Sequence, residues 1–94
     1  GDWNWRMPLV EKYTSGLSSP FADCKNAADG FGGAITAALF LQKFVRGKKW
    51  AHLDIYAWVD KAAGPFSAAG GSGQAVQCLI EHLLQAGRDT GKRA

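Results

Sequence analysis

The sequence predicts an α/β chain with elements in the order helix, strand, helix, strand, helix, and three stretches carry that prediction. Residues 34 to 46 form an apolar run whose only clear polar stripe is Thr36, Gln42, Lys43 and Arg46, the pattern of a helix covered on nearly all sides. Trp50 to Ile55 alternates Ala51, Leu53 and Ile55 against Trp50, His52 and Asp54, the period of two that marks a strand. Val76, Leu79, Ile80, Leu83 and Leu84 recur at helical spacing with Gln74, Gln77, Glu81 and Gln85 turned away, which makes an amphipathic helix. A chain of 94 residues has little protein to wrap around a helix apolar all round. The first stretch therefore predicts a piece of something larger.

Taken in order, Pro8 suits the first turn of a helix because its missing N–H would be unpaired there, and Leu9, Val10, Tyr13 and Leu17 follow at helical spacing. The first helix is placed at Pro8 to Leu17. Gly16, Ser18, Ser19 and Pro20 break it, and Phe21 to Cys24 is short and apolar enough to be a strand. Asn26 to Gly33 has the Gly and Asn content of a loop. The covered helix runs from Ala34 to about Arg46, with Gly47 placed to stop it. Trp50 to Ile55 carries large groups on both faces and reads as an interior strand. Lys61 to Gly71, with Gly64, Pro65, Gly70 and Gly71, reads as a mobile loop. Ser72 is placed to cap the last helix, which should end near Gly87. No repeat, low-complexity tract or linker divides the chain, so 1–94 reads as a single unit.

With 47% hydrophobic residues, four Trp and five Phe, the composition is that of a globular chain rather than a disordered one. No apolar run reaches the roughly 18 to 20 residues of a membrane span. Gly1-Asp2-Trp3-Asn4 has neither the basic start nor the apolar core of a signal peptide. Cys24 and Cys78 match no Cys-x-x-Cys spacing. Two reduced, buried thiols acting as small hydrophobes are expected, with a disulfide as the minor alternative. The net charge of +3 comes from Lys43, Arg46, Lys48 and Lys49 in the middle and Arg88, Lys92 and Arg93 at the end. Nucleic acid is one reading of that. Both clusters also sit at or just past helix C-termini, where cations complement the helix dipole, and this is the stronger reading.

Few constellations carry chemistry. Gly30-Phe31-Gly32-Gly33 precedes a helix as phosphate-cradling loops do. The Gly-x-x-x-x-Gly-Lys-[Ser/Thr] pattern is absent, however, and Ile35 stands where Gly-x-Gly-x-x-Gly needs its third glycine. These glycines, like those of Gly70-Gly71-Ser72-Gly73, are expected to allow positive φ and close approach of helix to sheet. His52 and Asp54 share one strand face, but a catalytic zinc takes three protein ligands, and His82 lies on a distant helix. Local hydrogen bonds are the default for that pair, and for Asp23, which should cap a loop or pair with Lys25 or Arg6. No serine sits in a Gly-x-Ser-x-Gly elbow and neither cysteine has an adjacent base. The basic and aromatic run from Phe44 to Trp50 could stack on nucleic acid, but Phe44 is expected to be buried on its helix, leaving a solvated basic turn.

Several of these words taken together resemble a known family. Gly32-Gly33-Ala34-Ile35-Thr36-Ala37-Ala38-Leu39-Phe40-Leu41 followed by Trp50-Ala51-His52-Leu53-Asp54-Ile55 is similar to the C-terminal part of the leucyl aminopeptidases, also called cytosol aminopeptidases. The likeness extends to Trp5-Arg6-Met7-Pro8-Leu9, to Ala22-Asp23-Cys24-Lys25-Asn26, and more loosely to Gly71-Ser72-Gly73. It implies that the chain is the last part of a larger mixed sheet covered by helices on both faces, within a cytoplasmic parent. It also implies removal of N-terminal amino acids from peptides by two divalent metal ions, zinc or manganese. The family holds those ions with Lys, Asp and Glu residues in an earlier part of the domain, including an Asn-Thr-Asp-Ala-Glu-Gly-Arg segment that does not occur here.

No catalytic residue and no metal or cofactor ligand is therefore expected in this chain. Its expected partners are the rest of the catalytic domain, peptide substrates, and further copies: hexamers in the family, a dimer or larger for this piece alone. Membrane and nucleic acid are not expected partners. Open α/β sheets bind ligands outside the carboxyl ends of their strands, and the resemblance places a wall of the pocket for the substrate's N-terminal side chain just past Ile55. Tyr56, Ala57 and Trp58 are the candidates. Here the wording departs from the family's commoner Ile-Ala-Gly. The rival reading is a non-enzymatic interaction module or a family member without activity.

Overall fold

The structure is a computed structural model that describes residues 2–93. Its elements are a 3-10 helix over Glu11–Leu17, α1 over Gly33–Val45, β1 over Trp58–Val59, β2 over Gly70–Gly71 and α2 over Val76–Arg93. The α/β class holds, with helices and a two-stranded antiparallel sheet. Two compact units are described in turn: Trp5–Asp54, and Gly1–Asn4 together with Ile55–Ala94.

In the first of these the helix expected from Pro8 begins at Glu11 and is wound as a 3-10 helix. The Tyr13 N–H donates to the Val10 carbonyl at 3.0 Å. Leu17 ends it fully buried, and its carbonyl accepts from the Lys25 N–H at 2.7 Å. No strand forms at Phe21 to Cys24. The Ser19 hydroxyl accepts from the N–H groups of Phe21 and Ala22 at 3.4 and 3.1 Å, a side-chain turn that takes the donor a ladder would need. Phe21 is left exposed.

Helix α1 opens on Gly32 at φ 81° and ψ 27°, a left-handed backbone that glycine adopts without a Cβ clash. The Gly32 carbonyl accepts from both the Ile35 and Thr36 N–H groups, and the Thr36 hydroxyl reaches the Gly32 and Gly33 carbonyls at 3.4 and 3.3 Å. At the other end Arg46 and Gly47 are both left-handed, at φ 50° and 72°. The helix stops one residue earlier than expected, by the device expected. Leu39 and Ala38 are buried, and α1 packs on the 3-10 helix through this side.

Within this chain α1 is not covered on all sides, and Phe44, expected to be buried, is not. Phe44 is 63% exposed and Leu41 is also exposed, because one short 3-10 helix covers only one side of a cylinder about 10 Å across. Close approach of helix to sheet is not seen either, since a Cβ built on Gly32 or Gly33 would meet nothing within 4 Å. Trp50 to Ile55 makes no ladder with any described residue. Period-two patterning marks a segment able to pair, and pairing needs a second strand.

In the second unit the mobile loop expected at Lys61 to Gly71 is instead partly ordered. Trp58 pairs with Gly71 and Val59 with Gly70 in an antiparallel ladder. Inside it Ala63 and Phe66 exchange two backbone hydrogen bonds, at 3.1 and 3.0 Å, across Gly64-Pro65. Gly64 has φ 54°, the positive first central angle of the tight turns that suit hairpins. Helix α2 starts four residues after Ser72 and continues through Gly87. A helical glycine costs about 1 kcal/mol but does not itself stop a helix. Here the Glu81 carboxylate accepts from Gln85 at 2.9 Å and faces Arg88 at 3.8 Å, and the Thr90 hydroxyl donates to the Ala86 carbonyl. The apolar stripe of α2 is present, and all five of its members are exposed.

Candidate functional site

The segment that leaves Ile55 is held by the second unit's backbone. Ala57 has φ 56°, its carbonyl accepts the Ser72 N–H at 2.9 Å, and Trp58 stands opposite Gly71 in the ladder. Tyr56 is exposed, Ala57 half-buried and Trp58 half exposed. Among the described residues, two of the three positive-φ residues other than glycine lie in this unit: Ala57, and Ala75 at φ 69°. Ala75 is buried at the start of α2, where the Val76 N–H donates to Gly73 and the Leu79 N–H to Ala75. Left-handed non-glycine residues cost roughly 1–2 kcal/mol each, and such strain tends to collect at functional sites.

A concavity lies beside this start, lined by Asp2, Phe66, Ser72, Gly73, Gln74 and Val76 among others. Tyr56 and Ala57 precede the ladder and Trp58 lies in it, and none of the three lines this concavity. Asp2 has a structural task there. Its carboxylate accepts the Cys78 N–H at 2.9 Å, at the third residue of α2, as an N-cap does. Asn4 donates to the Asp2 carbonyl at 3.1 Å and to the Cys78 Sγ at 3.3 Å. Ser72, the expected cap, lies four residues before the first residue of α2, and its N–H donates to the Ala57 carbonyl. Sequence reading passed over Asp2 because it lies 76 positions from the amide it caps, and capping signals are read locally. Asp2→Ala is expected to cost about 1 kcal/mol and to lower the α-helical circular dichroism of α2. Unchanged helicity and an unchanged unfolding midpoint would contradict this role.

The other singled-out residues do not converge. In the Trp5–Asp54 unit the His52 Nε2 is enclosed with no hydrogen-bond partner, while Asp54 is exposed, so the local bonding expected for this pair is not made at that nitrogen. Lys25 pairs with Asp29 at 3.2 Å rather than with Asp23. A second concavity, lined by Tyr13, Ser15, Asp29, Phe31 and Thr36 among others, lies beside the start of α1. Lys43, Arg46, Lys48 and Lys49 are exposed. Cys24 and Cys78 are free thiols, half-buried rather than buried. Among the described residues no three His, Cys, Asp or Glu side chains come together as a metal site requires, and no helix is long and apolar enough to cross a membrane. The donor set described here does not fit a two-metal centre.

The chain is similar to the cytosol aminopeptidase of Coxiella burnetii, whose crystal structure matches with a TM-score of 0.74 at 42% identity, over 86% of this chain and 18% of that one. The model of the cytosol aminopeptidase family, catalytic domain, matches residues 1–80. The chain belongs to the cytosol aminopeptidase family. It is 49% identical over 89 residues to a probable cytosol aminopeptidase of Nostoc punctiforme, covering 93% of this chain and 18% of that protein. It is 55% identical over 80 residues to one of Verminephrobacter eiseniae, covering 85% and 15%. The chain thus spans less than a fifth of the length of these relatives.

Proposed function

We propose that the chain is the C-terminal portion of the catalytic domain of a two-metal aminopeptidase, a cytoplasmic enzyme that releases N-terminal amino acids from peptides. The observation that carries this reading is the family match over residues 1–80. In hydrolytic sites of that kind two ions polarise the scissile carbonyl and activate a bridging water. Among the described residues no three ligating side chains come together, which supports assigning that chemistry to the remainder of the domain. The present residues supply scaffold, and Tyr56, Ala57 and Trp58 supply part of the wall against which the substrate's N-terminal side chain lies. Two exposed aromatic side chains next to an anchored ladder suit that task, since they offer apolar surface on a backbone that cannot drift. The exposed faces of α1 and α2 are covered by the rest of the domain and by further copies in a homo-oligomer.

The test is a chimaera in which this chain replaces the matching segment of the Nostoc punctiforme relative, assayed on aminoacyl anilides with zinc or manganese. Activity is expected to survive. Trp58→Ala should then lower kcat/KM for large apolar N-terminal residues by about tenfold, the effect of losing an aromatic contact worth about 1.5 kcal/mol, and change alanyl substrates less. Equal effects on all substrates would remove the pocket wall from the reading.

A further inference from the structure

We propose that Ala57 is a positioning residue for the aromatic wall: its left-handed backbone, pinned by the Ser72 N–H, sets the directions in which Tyr56 and Trp58 leave the chain and so tunes the choice between large and small N-terminal side chains. The inference rests on the pocket reading above. In a regular strand residues two apart share a face, and Tyr56 and Trp58 would stand side by side. A left-handed residue between them breaks that alternation. Ala57 has φ 56°, an angle an alanine keeps only where its surroundings over-determine it.

Those surroundings are visible. The Ala57 carbonyl accepts the Ser72 N–H at 2.9 Å, the next two residues pair with Gly71 and Gly70, and a Cβ built on Gly71 would stand 4.0 Å from the Ala57 carbonyl oxygen. The second strand therefore runs close along Ala57. Gly70 at φ 146° and Gly73 at φ 70° bracket the segment that delivers the Ser72 N–H.

Two substitutions in the chimaera separate backbone from side chain. Glycine keeps the left-handed angle open, whereas a β-branched residue disfavours it. Ala57→Gly is expected to keep the ratio of kcat/KM for leucyl over alanyl anilide within about twofold, and Ala57→Val to lower it about fivefold, through KM rather than kcat. An unchanged ratio in Ala57→Val, or an equal loss in Ala57→Gly, would overturn the inference. If Trp58→Ala also leaves the ratio unchanged, the pocket reading has failed. If Trp58→Ala shifts it and Ala57→Val does not, only the positioning role has failed. In the 94-residue chain itself, hydrogen exchange gives a readout free of catalysis: the Ser72 amide should be protected in the parent chain and lose protection in Ala57→Val but not in Ala57→Gly. A Ser72 amide exchanging at the unprotected rate in the parent would also overturn the proposal.

Discussion

Leu39→Ala is expected to destabilise the Trp5–Asp54 unit by about 2–5 kcal/mol, read as a drop in the urea midpoint. Leu39 and Leu17 are the two largest fully buried side chains among the described residues, at 2% and 1% exposure. They belong to α1 and to the 3-10 helix, the two elements that pack on each other in this unit. Truncation removes the transfer free energy of the side chain and leaves a cavity that a well-formed helix does not collapse to fill. Few other side chains stand ready to replace the lost contact, because Ala38 is the only other buried apolar residue described in this unit. The matched control is Phe44→Ala on the same helix. Phe44 is the larger side chain but is 63% exposed, and its packing includes an edge contact to Phe40 with ring centroids 5.2 Å apart. Its truncation should cost less than that of Leu39. Equal losses, or a larger one for Phe44, would show that the core is organised differently.

The second large effect concerns chemistry. The 94-residue chain alone, offered aminoacyl anilides with zinc or manganese, is expected to give no product above the blank. Enzymes of ordinary power accelerate their reactions by about a millionfold or more, and for a two-metal hydrolase the acceleration depends on ions held by several converging side chains. The described residues bring no three such groups together, and His52, the residue that alternation placed nearest a ligand role, has its Nε2 enclosed without a partner. Turnover comparable to that of a full-length relative would contradict the assignment of the catalytic groups to the rest of the domain. Activity in the chimaera with none in the isolated chain is the result that fits both statements.

The two helices differ in how much of them was legible. For α1 both ends were readable, because a glycine at each boundary is a local signal and the structure puts Gly32 and Gly47 in left-handed conformations. For α2 the stripe was readable and the ends were not. Its start is capped by Asp2 from the far end of the chain, and Gly87 looks like a stop only until Glu81, Gln85 and Arg88 are seen to interact around it. Neither expected strand formed. The Ser19 hydroxyl claimed the amides of Phe21 and Ala22, and Trp50 to Ile55 found no partner among the described residues, while the ladder that did form uses Gly70 and Gly71, residues depleted in strands by propensity. At the candidate site, resemblance pointed to Tyr56, Ala57 and Trp58, but nothing in the letters marks Ala57 as left-handed, since alanine is not the residue from which positive φ is inferred.

Family membership and the helical stripes are properties of the sequence itself, because residue identities and spacings of three to four are local and survive without neighbours. Which segments pair as strands, which amide caps on which carboxylate, and which way the backbone turns at Ala57 were decided only by tertiary structure. Each depends on a partner far along the chain: Gly71 for Trp58, Asp2 for Cys78, Ser72 for Ala57. A hydrogen bond is formed by what folding brings within about 3 Å, and local spacing does not record that distance.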